Sequence, residues 1–173
     1  MEPRRLPAAD SMTVVLDLGC HSYPDHPNDE SVETLIARFR PSLFYGFDPH
    51  PDLIETSEFR GGGKVTIRRA AAWTHDETVG FYVNGLSSSI GGTLPVPCFD
   101  LADWLELSGP AVVKMDVEGA EYELLEHLID RNVHRNIERL LIEWHRPPKA
   151  PRDWAVRRGL ILDAIRCPVE DWR

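Results

Sequence analysis

Val112-Val113-Lys114-Met115-Asp116-Val117-Glu118-Gly119-Ala120-Glu121 runs from apolar residues into two carboxylates, a glycine and the start of a helical pattern. A short apolar run closed by a turn signal reads as a buried strand. This one would deliver Asp116 and Glu118 to its C-terminal end, with a helix beginning just beyond. In open α/β sheets that edge is where ligands bind. Two other stretches end alike: Thr13-Val14-Val15-Leu16-Asp17-Leu18-Gly19 and Leu43-Phe44-Tyr45-Gly46-Phe47-Asp48. Three apolar strands, each finishing in an aspartate, describe a site.

The elements between them alternate. A helix is expected from Asp29 or Ser31 to about Phe39, where Val32, Leu35, Ile36 and Phe39 share one face. A short helix is expected near residues 52–59, strands over 64–69 and 78–84, and a Ser/Gly-rich loop over 86–92. A helix capped near Asp100 follows. Residues 119–132 read as a helix with Leu124, Leu125, Leu128 and Ile129 inward and an acidic first turn that suits its dipole. A strand over 137–144, a short helix to Arg158 and a last strand over 160–165 complete the pattern. Strands alternating with helices predict an α/β fold with a mostly parallel, doubly wound sheet. Residues 1–12 are expected to be a disordered leader, and 13–173 a single domain.

The bulk chemistry narrows the function. At 173 residues and 42% hydrophobic content the chain is long enough for a real core. Its net charge of -9 argues against a nucleic-acid backbone or an anionic membrane surface as partner. No apolar run approaches the roughly 20 residues of a membrane span. Cys20, Cys98 and Cys167 are odd in number and form no Cys-x-x-Cys pair, so the expected setting is reducing and cytoplasmic.

The order of motifs resembles a known family. Val15-Leu16-Asp17-Leu18-Gly19 is followed by Phe47-Asp48-Pro49, then Ser87-Ser88-Ser89-Ile90 and Phe99-Asp100-Leu101-Ala102-Asp103-Trp104-Leu105. Lys114-Met115-Asp116-Val117-Glu118-Gly119-Ala120-Glu121 and Leu141-Ile142-Glu143-Trp144-His145 come last. This is similar to the FkbM-type family of S-adenosylmethionine-dependent methyltransferases, from about Val14 to His145. The resemblance implies a Rossmann-like class I methyltransferase sheet whose last strand is antiparallel and inserted beside the fifth. It also implies O-methyl transfer to a hydroxyl of a sugar or other small molecule.

Methyl transfer from a sulfonium needs the protein mainly to align donor and acceptor, and a hydroxyl acceptor also needs a base or metal to take its proton. On the cofactor side, Asp48 is expected to accept the ribose hydroxyls, the bland alternative being a helix cap. Gly19 would let backbone approach the methionine portion. Asp17 would hold the loop or the cofactor's amino group. Ala71 and Trp73 would border the adenine, or simply pack. On the acceptor side, Asp116, Glu118 and His145 are the catalytic candidates. Asp116 is also a candidate metal ligand, so a divalent cation is possible beside S-adenosylmethionine. The bland readings are a helix cap for Glu118 and a loop residue for His145. Lys114 is expected to pair with Glu143. The histidines other than His21 and His145 read as surface residues.

The family pattern has a second glycine four residues after Gly19, where this chain has Tyr23. Either the loop takes another path around the cofactor, or binding is weakened. The competing readings are therefore a non-catalytic module that binds the cofactor or a nucleotide, and a metal-dependent hydrolase using Asp116, Glu118 and His145. A dinucleotide oxidoreductase would need Gly-x-Gly-x-x-Gly after the first strand, and only Gly19 is present.

Overall fold

A computed structural model describes residues 12–21, 31–83, 89–146 and 154–172. The expected leader, except Met12, falls outside the described residues, as do Tyr23 and its proline loop, Ser87, Ser88, and the break at 147–151.

Two sheets form. The larger has seven strands in the order β11-β10-β9-β1-β2-β4-β3. Its centre is β1 (Val14–Leu18), flanked by β2 (Leu43–Phe47) and β9 (Ala111–Met115), both parallel to it. Outward on one side lie β10 (Ile137–Ile142) and β11 (Val169–Asp171), again parallel. On the other side β4 (Gly63–Arg68) is parallel to β2, and β3 (Thr56–Arg60) is antiparallel to β4. The smaller sheet, in the order β5-β8-β6-β7, comprises β5 (Ala71–Trp73), β6 (Glu77–Tyr82), β7 (Ser89–Ile90) and β8 (Leu94–Asp100). The fold is thus α/β with a mostly parallel main sheet, mixed rather than purely doubly wound.

Strands β1 and β9 are buried at every position, as a parallel sheet covered on both faces requires. Val15, Val112 and Leu141 face α1 (Ser31–Phe39), which contributes Leu35 and Ile36. Leu16, Val113 and Leu140 face α2 (Leu101–Ser108), α3 (Glu121–Asp130) and α4 (Trp154–Ala164). On α3, Leu124, Leu125 and Leu128 are fully buried at helical spacing, each worth about 1.5–3 kcal/mol of transfer free energy. Asp100 caps α2, accepting from the Ala102 and Asp103 amides, as expected.

Three expectations fail. Residues 160–165 are not a strand: through Ala164 they continue α4, whose Ile161 is buried, and Ile165 follows one turn later with its amide bonded to the Ile161 carbonyl. A helix between β10 and the next strand returns the chain to the same sheet end, so β11 enters parallel. The expected antiparallel last strand is therefore absent; the antiparallel member of the main sheet is β3, at the opposite edge. Residues 56–60 are strand rather than helix, because Gly61 and Gly62 turn the chain at positive φ and zip Arg60 against Gly63.

Candidate active site

The chain leaves β1 for β2 on one side and returns as β9 on the other, so the crevice opens outside the C-terminal ends of these strands. Backbone bonds stitch the three ends together. The Gly19 amide donates to the Phe47 carbonyl at 2.9 Å, and the Asp116 amide to the Leu18 carbonyl at 3.0 Å. Gly19 has φ 82°, and a Cβ there would lie 1.9 Å from the Asp116 carbonyl oxygen. No residue with a side chain fits without displacing the β9 end.

Beneath this turn lies a buried charge cluster. Asp17 is 0% exposed and accepts from the Ser31 hydroxyl at 2.6 Å. Lys114, 1% exposed, sits 3.3 Å from both Asp17 Oδ1 and Asp116 Oδ2. Its ammonium donates to the Gly19 carbonyl at 2.6 Å and reaches the Leu18 carbonyl at 3.4 Å. Burial alone pulls the Lys114 amine down, but the Asp17 and Asp116 carboxylates outweigh it and hold its pKa above the ordinary lysine range. Of the two roles expected for Asp17, these contacts support holding the loop.

The expected Lys114–Glu143 pair does not form. The register sets Lys114 directly against Asp17 on β1 and Leu141 on β10, and Glu143 lies two residues further on. Glu143 instead approaches His145, with Oε1 3.6 Å from Nε2.

Asp48 ends β2 with its carboxylate fixed by two backbone donors: the His50 amide to Oδ1 at 2.8 Å and the His21 amide to Oδ2 at 3.1 Å. The His21 and His50 rings stack at 4.3 Å. His50 is 6% exposed and His127 bonds Asp100 at 3.0 Å, so neither is the surface residue expected. Ala71 is buried in the second sheet opposite Cys98, and Trp73 packs against both sheets' clusters. Their contacts are those of packing.

On the opposite lip, Asp116, Glu118 and His145 come together as the strand-end reading expects. His145 Nε2 lies 3.9 Å from Asp116 Oδ1 and 3.7 Å from Glu118 Oε2. Glu118 reaches this position through a left-handed backbone, φ 53°, followed by Gly119 at 102°. Such a conformation costs a non-glycine residue about 1 kcal/mol or more.

The residue that organises the group is Glu121, read from sequence only as a favourable first-turn charge. It is 0% exposed. Its Oε1 accepts from the Val117 and Gly119 amides at 3.2 and 3.3 Å and from His145 Nδ1 at 2.8 Å. The signal was its place in the helix's first turn, where a glutamate can reach back to the preceding amides. That bond to Glu121, working against burial and aided by the nearby carboxylates, raises the His145 pKa to about 9. Burial pushes Glu118 up to about 7, although His145 opposes it.

A pH dependence follows. The folded protein holds the His145 proton more tightly than the unfolded chain does. The stabilisation is complete below about pH 6.5 and is lost as pH rises through about 9. Glu118 acts in the same direction between about 4.5 and 7. Because the His145 side chain keeps 22% of its surface in water, its share is expected to be on the order of 2 kcal/mol. Urea unfolding at pH 6.5 and 9 measures it, and Glu121→Gln is expected to flatten the slope. An unchanged slope in that variant would assign the effect to another group.

The family model for the Methyltransferase FkbM domain matches residues 52–158, more than half of the chain. The protein belongs to that family, a methyltransferase family of Rossmann-like α/β fold. The matched span contains Asp116, Glu118, Glu121 and His145 and begins just after Asp48. No curated protein and no solved structure gave a significant match.

Proposed function

We propose that the protein is an S-adenosylmethionine-dependent methyltransferase that acts on a hydroxyl of a small molecule or sugar. The observation that carries the cofactor assignment is the Asp48 carboxylate. A carboxylate offers about four lone-pair sites. Among the described residues the His21 and His50 amides use two of them and lock the group in place, leaving one site on each oxygen for a vicinal diol such as a ribose. When bound, the cofactor supplies an electrophilic methyl on a sulfonium.

The chain's own residues supply position and proton transfer. Gly19 lets the β1 end lie close against Asp116, and Lys114 holds that turn by its carbonyls. Asp116, Glu118 and His145 form the acceptor side and take the hydroxyl proton as a unit. Glu118, at about 7, suits exchange near neutral pH. The anionic lip also favours a cationic sulfonium nearby.

Among the described residues no helix is long and apolar enough to cross a membrane. A cytoplasmic setting belongs to this proposal and is supported by the three unpaired cysteines.

Calorimetric titration with S-adenosylmethionine and S-adenosylhomocysteine tests the cofactor reading. Asp48→Ala is expected to weaken both by roughly 10- to 100-fold, the loss of hydrogen bonds to a charged group. Affinity unchanged by Asp48→Ala, or no binding at millimolar ligand, would overturn it. Tight binding without turnover on any hydroxyl acceptor would favour the non-catalytic module, the reading that Tyr23 in place of the family's glycine supports.

A further inference from the structure

The acceptor-side group has the makings of a coordination site. Asp116, Glu118 and His145 each offer one ligand atom, and the three atoms lie within 4.8 Å of one another. Asp116 and Glu118 come from the turn after β9 and His145 from the segment after β10, so two separate pieces of backbone converge. The side chains are 21%, 29% and 22% exposed, which leaves room for solvent or acceptor oxygens at further positions.

The second observation is the histidine's support. Nδ1 donates to the fully buried Glu121, so Nε2 is the nitrogen turned toward Asp116 and Glu118. A carboxylate behind an imidazole, fixing its tautomer and ring orientation, is the arrangement that metal-binding histidines use. Glu121 Oε2 is itself buried with no hydrogen-bond partner among the described residues, so no donor neutralises that oxygen. Glu143 adds a third carboxylate on the Nε2 side. Lys114 is already committed to Asp17 and two carbonyls and approaches Asp116 at Oδ2.

We propose that Asp116, Glu118 and His145 bind a divalent cation of the magnesium or manganese class, positioned by Glu121. Two carboxylate oxygens and one imidazole nitrogen suit such an ion, with water or an acceptor oxygen filling its other sites. Neighbouring ligands of an octahedral ion of this size stand about 3 Å apart, against 3.9 and 3.7 Å here from His145 Nε2 to the two carboxylate oxygens. Cation and protons compete for the same atoms. The inference deepens the acceptor half of the proposed methyl transfer, but the binding itself needs no cofactor.

Titration of the 173-residue chain with MnCl₂ alone, followed by electron paramagnetic resonance of the free ion and by calorimetry, tests it. One Mn²⁺ per chain is expected. Glu121→Gln is expected to weaken it about 10- to 100-fold, and Asp116→Asn and His145→Ala at least as much. Glu58→Gln, on the edge strand β3, is expected to change nothing. In the unmodified protein, Mn²⁺ is expected to broaden the His145 ring resonances before those of His75 and His134, a readout that survives if a variant misfolds. No binding at millimolar Mn²⁺, or stoichiometric binding that persists in both Asp116→Asn and His145→Ala, would overturn the proposal. Either result leaves the Asp48 titration unaffected, so the cation and cofactor readings fail separately.

Discussion

Asp116→Asn is expected to lower turnover by about 10²- to 10⁴-fold, the usual contribution of a positioned proton-transfer group, while leaving cofactor affinity close to that of the parent. The two halves of this expectation come from geometry. The Asp116 side chain approaches His145 and Lys114 and makes no contact with Asp48. The backbone bond from its amide to the Leu18 carbonyl, and the packing of its carbonyl against Gly19, are untouched by an amide side chain. Lys114 keeps Asp17 and two carbonyls, so the fold should persist. What is lost is the negative oxygen facing the acceptor, whether it takes a proton or holds a cation. Adding His145→Ala should cost little more, because members of one unit are not additive. Single-turnover assays with a proven acceptor, alongside calorimetry, separate chemistry from binding. Full turnover in Asp116→Asn would remove Asp116 from the catalytic assignment.

The sequence already placed Asp17, Asp48, Asp116 and His145 at strand ends, and the reason is physical. β1 and β9 are buried on both faces, so apolar residues dominate the runs before their acids, with Lys114 the one charge among them. The elements that stayed hidden lack that constraint. β3 lies at an exposed edge with the polar sequence Thr-Ser-Glu-Phe-Arg, and only its glycine turn announces a hairpin. β8 carries Pro95 and Pro97, which argue against a strand, yet both face outward while Val96, Cys98 and Asp100 are buried. The second half of helix α4, beyond the expected end at Arg158, hides behind Gly159 and a weak apolar face.

In the site itself the ends of strands were legible, but the contacts between them were not. Lys114 was paired with the wrong acid because Asp17 and Glu143 both lie near its register position, and only the β1 pairing decides between them. Glu121 looked like an ordinary first-turn glutamate. Its reach to His145, 24 positions away, depends on β10 lying beside β9. Ala71 and Trp73 were read as bordering the adenine or simply packing; they lie on β5 of a second sheet, which no periodicity forecast.

Lys114→Met is expected to destabilise the protein by about 3–5 kcal/mol, the cost of breaking a buried ion pair from one side. Methionine fills a similar volume, so the loss is electrostatic rather than a cavity. Among the described residues Asp17 would remain fully buried with only the Ser31 hydroxyl as a donor, the Gly19 carbonyl would lose the Lys114 ammonium, and the Leu18 carbonyl would keep only the Asp116 amide. Burial then drives Asp17 to take up a proton, so the deficit should be larger at pH 8 than at pH 5. Asp17→Asn combined with Lys114→Met should recover a large part of it, since the uncompensated charge is gone. Denaturant unfolding of the two single variants and the double measures the coupling. If Lys114→Met cost less than about 1 kcal/mol and the double variant were no better, the ion pair would not hold the strand ends. The functional consequence is separate. Lys114 holds the carbonyls of the turn that sets Gly19 against Asp116, so a double variant that folds well should still bind cofactor poorly. Recovered stability with unrecovered binding would assign to Lys114 the shape of the crevice as well as the stability of the sheet.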